Sequence, residues 1–77
     1  MIAAYILIQT DMGRSADVAA AAAKVAGVVA ADDVLGLYDV IVRAEASDVD
    51  ALGRMIAGDI QTIPGIESTL TCTVVRL

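Results

Sequence analysis

The chain has 77 residues, of which 58% are hydrophobic and 19% charged, and its net charge is −5. A chain this short forms a single domain, residues 1–77, which buries only roughly 60% of the surface exposed by the unfolded chain. The acidic balance lacks the basic footprint of a nucleic-acid-binding protein, so we expect no direct contact with DNA.

The apolar content exceeds the roughly 45–50% of ordinary globular domains, and one small core cannot hide all of it. Charged residues interrupt every apolar run before it reaches the roughly 18 residues of a membrane span. We therefore predict burial between subunits and no membrane contact. The start lacks the basic region of a signal peptide, which predicts a cytoplasmic protein. Cys72 is the only cysteine, so we expect no internal disulfide and no cysteine-based metal cluster. We also expect no other metal site and no cofactor.

The first part of the chain predicts a strand followed by a helix. Residues 2–10 are apolar on both alternating faces, which is typical of a strand covered on both sides. Ser15 is the predicted N-cap of a helix that runs to Gly27, a natural helix stop. The predicted buried positions of this helix recur at i, i+4 and i+7, at Val18, Ala22 and Val25.

The middle of the chain predicts two strands, residues 28–35 and 38–46, joined by a short polar turn at Gly36. Glycine permits φ > 0 and the close approach of another group. Asp39 follows closely and can bind either loop amides or the ammonium group of a ligand. Because glycine and aspartate also dominate plain turns, a purely conformational role for both residues stays open. One face of the second strand is predicted to carry Val40, Val42 and Ala44.

Ser47 to Asp50 has the form of a capping box, which predicts a second helix that ends at Ile63–Gly65. The buried stripe of this helix is predicted to be Val49, Leu52, Ile56 and Ile60.

The last segment, residues 66–77, alternates apolar residues with threonines, so it predicts a strand with one apolar face and one hydroxyl-lined face. The resulting order, βαββαβ, is that of the α+β ferredoxin-like sandwich, a four-stranded antiparallel sheet with both helices on one face. The other face is left open. The doubly apolar first strand suggests that a second subunit packs its sheet there, giving a dimeric barrel-like assembly.

Three segments carry a family resemblance: Gly27-Val28 before a strand, Gly36 to Val40 at the hairpin, and Ile63-Pro64-Gly65-Ile66 before the threonine-bearing strand. Together they resemble the effector-binding (RAM) domain of the Lrp/AsnC regulators, over essentially the whole chain. A helix-turn-helix domain normally precedes it in the family; none is expected before this strand, so the expected form is stand-alone. The resemblance implies a homodimer that assembles further, commonly to an octamer, and binds free amino acids between dimers. Co-assembly with full-length Lrp/AsnC regulators would let the chain modulate transcription.

The resemblance places the ligand site at Gly36, Tyr38 and Asp39 and extends it to the last strand. A zwitterion needs a carboxylate for its ammonium group and amide or hydroxyl donors for its own carboxylate, and these residue types supply both. Each also has a structural interpretation: Asp39 as a turn cap, the threonines as ordinary strand residues, and Cys72 as an apolar filler. Leu35 and Asp32-Asp33 depart from the family pattern. The implied strand residues are Thr71, Cys72 and Thr73.

Two other classes remain open. The ACT domain, another amino acid-binding βαββαβ module, usually has proline-glycine in its first loop, where this chain has Met12-Gly13. Small dimeric enzymes share the same fold. Catalysis usually recruits a histidine, an activated cysteine or a carboxylate of raised pKa. The chain has no histidine and no readable nucleophile–base pair, so we predict that it is not an enzyme.

Overall fold

The computed structural model describes residues 1–77 and shows the predicted ferredoxin-like α+β fold. Its four strands form one antiparallel sheet in the order β2-β3-β1-β4. None of the helices has both the length and the apolar character needed to cross a membrane. The elements are β1 Ile2–Thr10, α1 Ser15–Ala23, β2 Val28–Asp33, β3 Val40–Ala46, α2 Val49–Met55 with a π-helical continuation Ile56–Ile60, and β4 Ile66–Thr73.

The core lies between the helices and one face of the two central strands. Alternate residues of β1 and β3 pair directly across this face and are completely buried. Val18 and Ala22 of α1 are also completely buried, which confirms the predicted helix period. Full burial of each larger aliphatic side chain contributes about 1.5–3 kcal/mol. The paired strand residues are Ala4, Ile6 and Ile8 of β1 with Ala44, Val42 and Val40 of β3.

The opposite side of the sheet, called the open face below, has no covering layer within the chain. Tyr5 pairs with Arg43 and Cys72 across this face, and Tyr5 and Leu70 remain 41% and 49% exposed. The prediction that β1 is covered on both sides is therefore met on only one side by this chain. The open face includes Ala3, Tyr5, Leu7, Ile41, Arg43, Glu45, Leu70 and Cys72, and Ala30 and Asp32 of β2.

The edge strand β4 carries its threonines on the side of the helices. Thr71 pairs with Ile6 and Thr73 with Ala4, both core residues of β1. Leu70 instead pairs with Leu7 on the open face. The alternation predicted for this strand is confirmed, but its apolar side points away from the helices, opposite to what burial within a monomer would favour.

The connection between β2 and β3 is longer than predicted. The two strands end at Asp33 and begin at Val40, so six residues separate them instead of a tight turn. The backbone amide of Val34 donates to the carbonyl of Asp39 at 2.9 Å, and the amide of Asp39 donates to Ile8 at 2.9 Å. Pairing with β1 thus holds Asp39 after β2 has left the sheet. Gly36 does not adopt a positive φ.

Both helices begin differently from the sequence prediction. The N-cap of α1 is Arg14 rather than Ser15, and no side chain caps it. The N-cap of α2 is Asp48 rather than Ser47: its Oδ1 accepts from the Ala51 amide at 2.7 Å. A carboxylate at this place satisfies a free amide and complements the helix dipole.

The N-cap of α2 lies one residue later than predicted, and its buried residues also differ from the predicted ones. Val49 is 64% exposed, whereas Met55 is buried beside Leu52. The π turn that follows carries Ile60 into the core, as predicted, and leaves Ile56 partly buried.

Gly27 provides a test of the packing between the α1–β2 turn and α2. Its φ is +94°, and a Cβ there would overlap the Met55 side chain and lie 2.8 Å from the Glu45 carbonyl oxygen. We expect Gly27→Ala to lower the free energy of unfolding by at least about 1–2 kcal/mol, because the left-handed conformation alone costs that much. Urea unfolding measures the loss.

Gly36→Ala is the matched control for this substitution. A Cβ at Gly36 meets no atom within 4 Å, and its φ is not positive. Its unfolding free energy should therefore stay unchanged or rise by about 0.4–1 kcal/mol. Equal losses for the two variants would contradict this account of Gly27.

Candidate functional site

Three segments meet at the end of the sheet where β1 stops: the β2–β3 loop (residues 34–39), the polar end of β1, and the first half of β4. The amide of Asp11 donates to the Gly65 carbonyl at 2.8 Å and holds the β1–α1 turn against the start of β4. The end of β1, the start of β4 and the β2–β3 loop therefore form one surface around the predicted hairpin site.

Asp39 fixes the β2–β3 loop to β1. Its Oδ2 accepts a hydrogen bond from the Thr10 amide at 2.8 Å and lies 3.3 Å from the Thr10 hydroxyl. A carboxylate acceptor makes such a bond stronger than a neutral one. Both contacts use the same oxygen, so Oδ1 has no hydrogen-bond partner within the chain. The half-buried Asp39 thus has a structural role and an oxygen that is free to accept.

Gln9 extends this connection across the sheet to β4. Its Nε2 donates to the Leu37 carbonyl at 3.2 Å, and its Oε1 accepts from the Ser68 hydroxyl at 2.9 Å. Sequence reasoning missed Gln9, Thr10 and Ser68 as members of this network. The available signal was the polar pair Gln9-Thr10 at the end of an otherwise apolar strand.

The tip of the β2–β3 loop is apolar and uncovered. Leu35 and Leu37 are almost wholly exposed, and Tyr38 is half-buried. Gly36 lies between the two leucines with open space around its Cα. Apolar side chains exposed together in this way are a frequent feature of surfaces where another molecule binds. The sequence predicted that another group approaches Gly36 closely, but no other group of the chain does so.

The predicted β4 residues do not join the loop within one chain. Thr71 and Thr73 lie on the helix side of the sheet, and Cys72 lies on the open face. The hairpin contacts β1 at Ile8, whose carbonyl accepts from the Asp39 amide. Thr71 and Thr73 pair with Ile6 and Ala4, which precede Ile8 by two and four residues. They therefore lie about 7 and 13 Å along the strand from the level of the hairpin. The structure therefore brings Gly36, Tyr38 and Asp39 together, but not the three strand residues.

Two cavities indent the surface. One, of about 190 Å³, lies beside the Gln9–Ser68 contact and is lined by Gln61, Ile66, Glu67, Ser68 and Thr69. The other, of about 240 Å³, lies at the start of β1. Neither is lined by Gly36, Tyr38 or Asp39. A pocket at the hairpin would need walls from another molecule.

Comparison with known proteins agrees with this architecture. The Lrp/AsnC ligand binding domain family matches residues 3–77. The chain is similar to the crystal structure of FFRP-DM1, with 31% identity and a TM-score of 0.91 over 97% of this chain and 100% of that one. It is also similar to AsnC from E. coli, with 25% identity and a TM-score of 0.90 over 99% of this chain and 52% of AsnC. The chain thus spans about half the length of AsnC.

A more distant structure shares the fold. The transcriptional regulator NMB0573 from Neisseria meningitidis, solved as a complex with L-Met, is 17% identical. Its TM-score is 0.85 over 97% of this chain and 50% of that one. No curated protein matches the chain. The family resemblance carried by the Gly36 hairpin and the Ile63–Ile66 turn is confirmed by the family match.

The Asp39–Thr10 contact predicts a stability effect that is independent of any ligand. Asp39→Ala leaves the Thr10 amide without its acceptor, and loss of a hydrogen bond to a charged group costs about 1.5–3 kcal/mol. We expect a loss of that size in urea unfolding. Asp33→Ala is the matched control, since Asp33 is exposed and makes no side-chain hydrogen bond. Similar losses in both variants would contradict a structural role for Asp39.

Proposed function

We propose that this chain, which belongs to the Lrp/AsnC ligand-binding domain family, binds free amino acids at an interface between its subunits. The family is one of regulatory ligand-binding domains and not of enzymes. Beyond this family role, we propose that the ligand is a free amino acid and that it binds between subunits. The observation that carries it is the hairpin, where an unpartnered Asp39 oxygen lies in one loop with an exposed apolar tip.

The chemistry of the loop suits a zwitterion. Asp39 Oδ1 is available for an ammonium group, because both protein contacts of the carboxylate use Oδ2. Gly36 leaves room for a ligand to reach the loop backbone. Tyr38 and the two leucines offer apolar contacts for a side chain. NMB0573 was solved with L-Met, which supports the idea that this fold can hold a free amino acid.

The second wall of the site is proposed to come from another subunit. No cavity exists at the hairpin of a single chain, and the strand residues Thr71, Cys72 and Thr73 lie too far along β4 to reach it. In the proposed assembly, open faces pair to make a dimer and hairpins meet between dimers, which gives a higher oligomer such as an octamer. Thr71 or Thr73 of a neighbouring dimer would then supply hydroxyl donors for the ligand carboxylate.

A regulatory effect would pass through a partner. E. coli AsnC contains a region similar to the whole of this chain within a protein about twice as long. A full-length regulator whose ligand-binding region has this fold would have a corresponding sheet face and hairpin for co-assembly. We propose that the chain modulates transcription by mixing with such regulators in the cytoplasm.

Calorimetric titration with a panel of free amino acids tests the ligand site. We expect Asp39→Asn to weaken binding of the preferred amino acid by roughly 10- to 100-fold, as expected for the loss of a charged hydrogen-bond partner. Asp33→Asn makes the same change of charge on a neighbouring exposed side chain and should bind normally.

Gly36→Ala separates binding from folding, since its new Cβ meets no protein atom. It should melt like the wild type yet bind the amino acid more weakly. The proposal fails if the wild-type protein binds no amino acid, or if Gly36→Ala and Asp39→Asn bind as tightly as Asp33→Asn.

Sedimentation tests the assembly. The wild-type chain should sediment as a dimer or larger species, and Leu70→Lys should produce monomers because it places a charge on the apolar open face. Thr71→Lys, the next residue on the same strand but on the helix side, should keep the dimer. A wild-type species of 7.9 kDa at micromolar concentration would contradict the proposed dimer.

A further inference from the structure

The open face carries charged side chains among its apolar residues. Arg43 and Glu45 lie two residues apart on the central strand β3, on the side that carries Tyr5 of β1. Asp32 lies on the edge strand β2 of the same face. Arg43 and Glu45 are already half-buried, whereas Asp32 is exposed. A molecule that covers this face must therefore accommodate one basic and one acidic side chain on a central strand.

Arg43 has no carboxylate partner in its own chain. The only ion pair of the structure joins Arg14 to Asp17, and the side chain of Glu45 makes no hydrogen bond. Arg43 donates from Nη1 to the Tyr5 hydroxyl oxygen at 2.8 Å, and its guanidinium carbon lies 5.1 Å from the centre of the Tyr5 ring. A guanidinium has five N–H donors. Tyr5 thus holds the group on the open face and leaves most of its donors unused.

Covering the open face is unfavourable for both charges unless they are paired. A charged group that is removed from water destabilises an interface unless an opposite charge contacts it. The apolar contacts of this face are non-directional, so they do not fix how two copies align. In a two-fold dimer every contact between different residues is made twice, once in each direction. One basic and one acidic side chain on each copy are therefore enough to form two ion pairs.

We propose that Arg43 of each copy forms an ion pair with Glu45 of the other copy in the face-to-face dimer, and that this reciprocal pair selects the partner. The pair rests on the proposed dimerisation through the open face. Glu45 is assigned in preference to Asp32 because Asp32, at the edge of the sheet, can stay in contact with water. Charge complementarity of this kind fixes the register and rejects wrong partners more than it adds affinity.

The same pair limits co-assembly with longer regulators. A subunit of the same fold can cover the open face of this chain only if it brings an acidic group to Arg43 and a basic group to Glu45. A partner with a like charge at either position is rejected. The proposed mixing with full-length regulators is thereby restricted to those whose sheet face carries the matching charges.

Charge-reversal variants test the pair, with dimer dissociation constants from sedimentation and dimer composition from native mass spectrometry. Arg43→Glu opposes two acidic groups, and Glu45→Arg opposes two basic groups, so each variant alone should weaken the dimer by about tenfold or more. An equimolar mixture of the two variants should form the heterodimer, because every contact then joins opposite charges. The double variant R43E/E45R should form a homodimer again.

Two controls isolate the position of the charges. Arg54→Glu makes the same change of charge on an exposed residue of α2, in the helix layer, and should dimerise like the wild type. Arg43→Glu mixed with Asp32→Arg should form no preferred heterodimer, because Glu45 of the second copy still opposes the introduced carboxylate.

A monomeric wild-type protein would overturn the dimer and the ion pair together. With a dimeric wild type, the ion pair alone is overturned if Arg43→Glu and Glu45→Arg each dimerise as tightly as the wild type, or if their mixture gives no heterodimer. A heterodimer formed with Asp32→Arg in place of Glu45→Arg would also overturn it.

Thermal melts show whether the single variants fold. If either does not, Arg43→Gln and Glu45→Gln replace the charge reversals in a double-mutant cycle. The double variant should then lose less dimer affinity than the two single losses combined, because each single change already breaks the pair. Additive losses would overturn the ion pair.

Discussion

The hydrogen bond from the Thr10 amide to the Asp39 carboxylate holds together the end of the sheet that carries the candidate site. It joins the last residue of β1 to the residue that precedes β3, at the point where β2 has already ended. The loop between β2 and β3 therefore cannot swing as a free hairpin. Gln9 adds a second connection from the loop to β4, so one surface combines the loop, the end of β1 and the first half of β4.

The distribution of polar groups on β4 connects this surface to assembly. Thr71 and Thr73 are on the helix side, and Leu70 and Cys72 are on the open face. The helix layer covers the two central strands most completely, where Ile6 and Val42 are fully buried, and leaves the threonine edge exposed. The apolar residues of the open face have no comparable cover. A second layer is required there if their burial is to contribute to stability.

Sequence patterns predicted the elements whose signals are local. The 3.6-residue period of Val18 and Ala22 and the alternation of β3 located the core, because burial of one face requires those periods. These local patterns could not predict the hydrogen bonds that link Gln9, Thr10, Asp39 and Ser68 at the candidate site. Gln9 and Ser68 are 59 residues apart in sequence, and Thr10 and Asp39 are 29 apart, so only the strand order brings them together.

Local competition explains the smaller errors. Ser47 and Asp48 both suit an N-cap, and the extended backbone of Asp48 decided between them. The β2–β3 loop is longer than predicted because the Asp39 amide donates to Ile8 of β1 and does not continue a tight hairpin with β2. The glycine at position 36 indicates a turn but carries no information about this long-range contact.

Two glycines that the fold requires contrast with Gly36, which it does not require. Gly27 and Gly65 have positive φ, and an added Cβ would crowd Met55 or Arg14. Gly36 has neither property and lies at the tip of an exposed loop. Its neighbours Leu35 and Leu37 are equally unexplained by the packing of the chain, since they contribute almost nothing to the core. The packing of a single subunit therefore gives these side chains no role, whereas the proposed site would bury them against a ligand or another copy of the chain.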